Sequence, residues 1–398
     1  MSNNKPVLTD FTLTNALGHG ATATLSALRE QRSGLRPCDF DTAELDTWIG
    51  RVDGIEEVTL PATLQRFDCR NNRLALLALE QDAFTAAIGK CRQRYGAGRI
   101  GVFLGTSTSG IQATELAYRC RDPDSGRLPD WFDLQYTHLI YSGVDFVREL
   151  LDIHGPSLAI STACSSSAKV FAAASRHMQA GLCDAALVGG VDSLCLTTLY
   201  GFNALQLVSD RPCRPWDRER NGISIGEAAG FALLEREPAG RGNIALLGYG
   251  ESSDAHHLAT PHPQGTGAGL AMQHALQMAG LAGRDIDYIN LHGTATPSND
   301  ASENAALRRV FEHLPAFSST KGWTGHTLGA AGITEAIIAC QAIKHDFVPG
   351  TLNTTHPDSA LSEGLLMQGR NQEVSTVLSN SFGFGGSNCS LIFGEPRL

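Results

Sequence analysis

Cys164, His292 and His326 are the side chains in this sequence most suited to covalent chemistry, because an apolar run or a glycine turn delivers each one to the end of an element. In Ile160-Ser161-Thr162-Ala163-Cys164-Ser165-Ser166-Ser167-Ala168, one thiol stands between the strand-like Leu158, Ala159 and Ile160 and the first turn of a helix. Ser165 to Ser167 can cap that helix, which continues through Val170, Phe171, Ala172 and Ala174. The thiol then faces unpaired backbone N–H groups. Those groups and the helix dipole favour the anion, which predicts a lowered thiol pKa and donors for an oxyanion on a bound acyl group. The rival reading is a buried cysteine serving as a small hydrophobe.

The two histidines change that balance. His292 follows Ile289-Asn290-Leu291 directly into the turn Gly293-Thr294-Ala295-Thr296-Pro297. His326 sits in the tight loop from Ser319 to Gly332, which enters a helix predicted over Ile333 to Ile343. Either histidine alone is more often a hydrogen-bonded structural residue than a chemical one. One helix-start Cys together with two turn-borne His is the combination that points to a nucleophilic site.

At these residues the chain resembles the β-ketoacyl-acyl carrier protein synthases of the thiolase fold, in their elongating Cys-His-His class. The resemblance runs from about Leu13 to Leu391 through six ordered motifs: STACSSSA around Cys164, RPWDRERNGISIGEAAG from Arg214, SSDAHHLATP from Ser252, LHGTATPSND from Leu291, STKGWTGHTLGAAG from Ser319 and SNSFGFGGSN from Ser379. It implies that Cys164 accepts the acyl group, that His292 and His326 form the histidine pair, and that Lys321 and Glu335 support the site. It also implies that Phe382 gates the acyl pocket, that the backbone N–H groups of Cys164 and Phe382 hold the oxyanion, and that Thr294, Thr296 and Phe384 contact substrate. The expected reaction is a decarboxylative condensation of acyl-Cys164 with a malonyl-carrier thioester. No cofactor or metal is expected beyond the phosphopantetheine that carries the substrates.

Composition sets bounds that agree. The 398 residues, 42% of them hydrophobic, can bury a large α/β core. A net charge of −10 argues against broad nucleic-acid binding, which needs a basic surface. Ten cysteines without CxxC pairs, and an N-terminus lacking a basic then apolar run, are expected of a reduced cytoplasmic enzyme. No apolar stretch has the length of a membrane span.

The elements that must position the three residues come as two copies. Val102 to Thr108 echoes Ile289 to Thr296, each followed by a helix carrying an acid, Glu115 or Glu303. Ser161-Thr162 before Cys164 parallels Ser319-Thr320 before His326, and Ala186 to Gly190 parallels Thr376 to Asn380. The fold class is therefore α/β, with two duplicated halves, 1–240 and 241–398. The seam is expected near Arg236 to Gly242, where Pro, Gly and charge interrupt two apolar runs. In the five-layer αβαβα thiolase fold that the resemblance implies, the helices beginning at Ser165 and Gly332 form a shared central layer, so neither half folds alone.

Other features are weighed more plainly. His256, His257 and His262 lack regular zinc spacing, and the glycines of Phe382 to Asn388 lack the Lys-Ser/Thr of a phosphate loop. Asp217, Arg218, Glu219, Arg220 and Glu227 read as a structural ion-pair network. Docking of an acidic carrier protein is expected at Arg66 and Arg211, with Arg70, Arg73 and Arg214 as further candidates. The segment Asp122–Tyr141 departs from the family pattern where the dimer interface and the far end of the acyl pocket are expected. That leaves open a homodimer or a heterodimer with a Cys-less chain-length factor, and leaves open the pathway, polyene or aryl-polyene assembly among the readings. A thiolase would need a second catalytic cysteine in the final glycine-rich segment, where Cys389 lies beyond FGFGGSN and away from the expected place, and a chain-initiating synthase would carry Asn in place of one histidine, against which His326 speaks.

Overall fold

A computed structural model describes residues 5–236, 244–361 and 363–395. Ten strands form one mixed sheet: β1 (Val7–Asn15), β2 (Ile100–Gly105), β3 (Ser157–Ile160), β4 (Ala185–Asp192), β5 (Ala228–Glu235), β6 (Ile244–Ser253), β7 (Tyr288–Asn290), β8 (Ala316–Ser318), β9 (Thr376–Gly383) and β10 (Ser387–Gly394). Their spatial order is β8-β7-β9-β10-β6-β1-β5-β4-β2-β3. The sheet joins in the middle through a short antiparallel contact, Val7 opposite Ala245 and Leu8 opposite Ile244.

On either side of that contact the two halves are the same construction. Counting strands from each half's own start, both run in the order third, second, fourth, fifth, first. The senses also agree, since β2 pairs parallel with β3 and β4 while β7 pairs parallel with β8 and β9. The remaining ladders, β4–β5–β1 and β9–β10–β6, are antiparallel. The repeats legible in the sequence fall on corresponding strands, β2 with β7 and β4 with β9. The expected seam begins at Arg236, just past β5, but residues 237–243 lie outside the described residues.

Six helices make the layers: α1 (Arg70–Leu79), α2 (Ser142–Leu151), α3 (Ser166–Gln179), α4 (Thr266–Ala279), α5 (Pro297–Val310) and α6 (Ala331–His345). Helices α1 and α2 cover the outer face of the first half, and α4 and α5 cover the second. Between the halves lie α3 and α6, each packed on strands of both. Every residue of α6 from Ala331 to Gln341 is buried, which is why its sequence carries almost no charge. The two central helices meet backbone to backbone, and a Cβ on Gly332 would lie 2.3 Å from the Ala168 nitrogen.

Burial on both faces also explains the strand sequences. Ala185–Asp192 is buried at every position, so it reads as a continuous apolar run rather than an alternation. The expected ion-pair network is present in part. Arg220 pairs with Asp358 at 2.9 Å, whereas Glu227 is buried against Arg70 in a two-pronged pair. Asp217 instead accepts the backbone N–H groups of Glu219, Thr355 and His356.

Candidate active site

Both ends of the chemistry begin at a backbone turn. After β3 the chain passes Ala163 in the left-handed region, φ +52°, a conformation that costs about 1–2 kcal/mol outside glycine. The Ser166 hydroxyl accepts the Thr162 N–H at 2.9 Å, closing the turn that presents Cys164 just before α3. His326 follows Gly325, φ +74°. Its backbone is held on both sides, N–H to Ser224 oxygen at 2.7 Å and oxygen to Gly226 N–H at 2.9 Å. His292 lies just past β7, and the Glu303 carboxylate on α5 receives the N–H groups of His292 and Gly293 at 2.8 and 2.7 Å.

These turns bring the three side chains together. His326 Nε2 is 3.1 Å from Cys164 Sγ, and one ligating atom from each of Cys164, His292 and His326 falls within 4.8 Å of the others. The two imidazole rings stand nearly perpendicular, 5.4 Å between centroids. All three residues are buried at the base of a cleft whose lining includes Thr294, Thr296, Phe382 and Phe384.

The ring protons follow from the neighbours. Leu328 N–H donates to His326 Nδ1 at 3.3 Å, which leaves the ring hydrogen on Nε2. Lys321 Nζ stands 3.4 Å from His292 Nδ1 and donates to the His292 carbonyl oxygen and to Glu335, so His292 likewise carries hydrogen on Nε2. Both rings thus direct N–H groups into the cleft. A Cys-His-His set has the donor types of a metal centre, but nitrogen bearing hydrogen has no lone pair to coordinate with.

Burial governs the titration. It pushes both histidines well below their ordinary pKa, with the Lys321 charge acting in the same direction, so the rings are neutral. It raises Glu335 and Glu303 to about 7 each, against the pull of Lys321 on Glu335 and of backbone N–H groups on Glu303. For Cys164 the structure corrects the expectation of a lowered pKa: burial pushes the thiol up to about 11. The Lys321 charge and the Phe384 N–H pull it back only partly.

That Phe384 N–H corrects a second expectation. Phe382 lies inside β9, paired with Asn388, and its ring is buried 5.8 Å from that of His292. Phe384 begins the turn beyond the strand, where Gly385 and Gly386 have φ of +76° and +72°. It is half-buried, touches Phe202 and is the residue whose amide reaches Cys164. The amide that reaches Cys164 and the ring set in a glycine turn are therefore those of Phe384, whereas Phe382 is held within the strand.

The remaining expectations separate. Thr294 and Thr296 are buried in the cleft with their hydroxyls 2.9 Å apart. Among the docking candidates, Arg211 is exposed, while Arg66 pairs with Glu149 and lies over Phe67 and Tyr136. Arg70 is buried in its pair with Glu227 and cannot be part of a basic surface. Cys389 is buried within β10 in the core between the halves, away from the cleft. His256 and His262 pack ring to ring in the exposed loop at the cleft mouth, where His257 contributes to the lining. Glu303 was visible in the sequence only as the acid repeated after each first turn; its grip on His292 depends on the fold.

Comparison with known proteins agrees with this geometry. The beta-ketoacyl synthase N-terminal domain model matches residues 13–239, and the C-terminal domain model matches residues 244–355. The chain is 31% identical to 3-oxoacyl-[acyl-carrier-protein] synthase 2 of Vibrio cholerae, over 99% of each chain. It is 33% identical to nodulation protein E of a Rhizobium species, covering 95% of this chain and 96% of that one. Among solved structures it resembles a ketosynthase (ApeO) from Xenorhabdus doucetiae, in complex with its chain length factor (ApeC). The TM-score is 0.89 at 37% identity, covering 99% of this chain and 98% of that one. The two domain models together span residues 13–239 and 244–355, and with a relative 31% identical over 99% of each chain they show that this chain is a member of the β-ketoacyl synthase family of acyltransferases.

Proposed function

We propose that the protein is an elongating ketosynthase in which Cys164 carries the growing acyl chain. The observation that carries this reading is the pair of Nε2–H groups converging beside one buried thiol. In the first half-reaction Cys164 sulfur attacks the acyl thioester of a carrier protein, the thioester C–S bond breaks, and the thiol proton ends on the departing pantetheine sulfur. The oxyanion is held by the backbone N–H groups of Cys164 and Phe384.

Malonyl-carrier thioester then binds in the cleft. Its carboxylate leaves as carbon dioxide, and the enolate oxygen accepts hydrogen bonds from His292 and His326. The carbanion attacks the acyl-Cys164 carbonyl, the Cys164 C–S bond breaks, and the departing thiolate takes up a proton from water. Lys321 and Glu335 keep the His292 side of the site in its tautomer. Thr294 and Thr296 supply hydroxyls to the pantetheine amides, and Phe384 closes the acyl side. The carbon–carbon bond is made without a bound cofactor, because the substrates arrive activated on phosphopantetheine.

The proposed partners are an acyl carrier protein, docking at Arg66 and Arg211, and a second chain of the same fold. Support for the second chain comes from one surface. Edge strand β3 exposes Leu158, and the adjoining segment exposes Leu139, Ile140 and Tyr141, the last hydrogen-bonded to Ser157. Residues 1–240 and 241–398 act as halves that share α3 and α6 and do not function separately. Ten thiols without CxxC pairing favour a reducing compartment, the cytoplasm. A heterodimer with a chain-length-factor-like subunit is favoured over a homodimer by the likeness to the Xenorhabdus doucetiae ketosynthase.

The test is incubation with malonyl-carrier and a panel of acyl-carriers, followed by intact-mass analysis. Acylation confined to Cys164 and a two-carbon-longer β-keto product are expected. Absence of any acyl adduct with every primer would overturn the reading. Copurification with a related subunit, against a fully active homodimer, decides the partner.

A further inference from the structure

We propose that Asp192 is a positioning residue that sets the ring orientation and tautomer of His326. The inference builds on the reading of His326 as an enolate donor. Asp192 is the last residue of β4 and is completely buried. Its Oδ1 accepts from Thr106 Oγ1 at 2.7 Å, from the N–H groups of Ser107 and Thr108 at 2.8 and 2.9 Å, and from Thr108 Oγ1 at 3.0 Å. Its Oδ2 accepts from the Ser107 hydroxyl and from Gly329 N–H, the latter at 2.6 Å.

An anion serving only the turn after β2 would have no need of Gly329. That extra bond reaches into the loop that carries His326. Gly329 follows Leu328, which is held in the left-handed region at φ +52°, and Leu328 N–H is the group that donates to His326 Nδ1. The chain of contacts therefore runs from the Asp192 carboxylate through Gly329 and Leu328 to the imidazole, ending at Nε2–H beside Cys164. Close approach is essential, since a Cβ on Gly329 would lie 2.7 Å from Asp192 Oδ2 and 2.7 Å from Ser107 nitrogen. One buried carboxylate thus ties the first half of the molecule to the histidine loop of the second.

Without that carboxylate, Leu328 is free to leave its strained conformation and its N–H leaves Nδ1. The ring then exchanges between tautomers, and the fraction bearing hydrogen on Nδ1 presents a lone pair to the cleft. Two variants of the full chain test this, Asp192→Asn and Gly329→Ala, the second keeping the carboxylate but displacing it. The readout is the pair of ring 15N shifts of His326 in 15N-histidine-labelled protein, assigned by their loss in His326→Asn. Wild type should show hydrogen on Nε2 only, and both variants should show averaged nitrogens. Condensation kcat should fall about ten-fold with KM unchanged, short of the roughly 100-fold loss of a donor removed outright. Wild-type His326 shifts in either folded variant overturn the proposal. Should Asp192→Asn fail to fold, Gly329→Ala still decides. Inactive wild-type protein with a normal His326 signature would count against the condensing function and leave this inference standing.

Discussion

His326 Nε2 lies 3.1 Å from Cys164 Sγ although 162 residues separate them along the chain. One atom belongs to the turn after β3 and the other to the loop after β8, the corresponding strands of the two halves. The duplicated architecture therefore puts a thiol and an imidazole at equivalent places, and the shared helices α3 and α6 bring them into contact.

This division of labour separates the two half-reactions. Cys164→Ala should abolish condensation while malonyl-carrier decarboxylation continues, because both imidazoles remain. His292→Ala and His326→Ala should each lower decarboxylation about 10²–10³-fold, the usual loss for a preorganised donor to a developing oxyanion. Carbon dioxide release from labelled malonyl-carrier measures this. Wild-type release in both histidine variants would remove the assigned roles.

The raised thiol pKa makes its own prediction. Inactivation by iodoacetamide should accelerate about tenfold per pH unit and keep rising toward pH 11, since only the thiolate reacts. A plateau near neutral pH would mean that the helix end outweighs burial. Cerulenin, held by the cleft, should add to Cys164 alone among the ten cysteines, as read by peptide mass.

The neutral histidines predict a pH-dependent stability. An unfolded imidazole takes a proton near pH 6.5, whereas folded His326 does so only well below that. Below pH 6.5 the unfolded state binds more protons, so the contribution of His326 falls as pH drops. The His326→Asn variant should therefore gain about 1 kcal/mol on wild type between pH 6.5 and 5.5, the slope approaching about 1.4 kcal/mol per pH unit only at the acid end of that range. Urea midpoints across that range give the comparison. Glu303 and Glu335, raised to about 7, act in the opposite direction between pH 4.5 and 7, but they do so in both proteins.

Phe382 and Phe384 should fail differently. Phe382→Ala empties a buried position in β9 and should cost about 3–5 kcal/mol of stability. Phe384→Ala, in the glycine turn, should leave the melting temperature nearly unchanged and slow acyl loading of Cys164. Thermal unfolding alongside single-turnover acylation distinguishes them, and the reverse pattern would return the gate to Phe382.

Arg211→Glu should raise the apparent KM for an acyl-carrier substrate several-fold while sparing a small thioester mimic, because only the carrier presents acidic charge. Arg66→Glu should have a smaller effect, since Arg66 already pairs with Glu149. Equal losses on both substrates would refute docking at these positions.

What the sequence by itself determined is local and periodic. Short apolar runs beside turn residues marked β3 and β7, a glycine-rich loop marked the start of α6, and the repeat from Val102 and from Ile289 announced two matching halves. The same runs placed Cys164, His292 and His326 at element ends, where their convergence was expected. The tertiary structure alone decided the sums over distant neighbours. Cys164 carries a raised rather than lowered pKa because burial involves both halves at once, which no nearby residue encodes. Arg70 looked like surface charge until Glu227, 157 residues away, drew it inside. The choice of Phe384 over Phe382 hung on where β9 stops, and the reach of Asp192 to Gly329 hung on two loops meeting across the molecule. Periodicity reports which face of an element is apolar; it carries no record of which polar group another element will bring to that face.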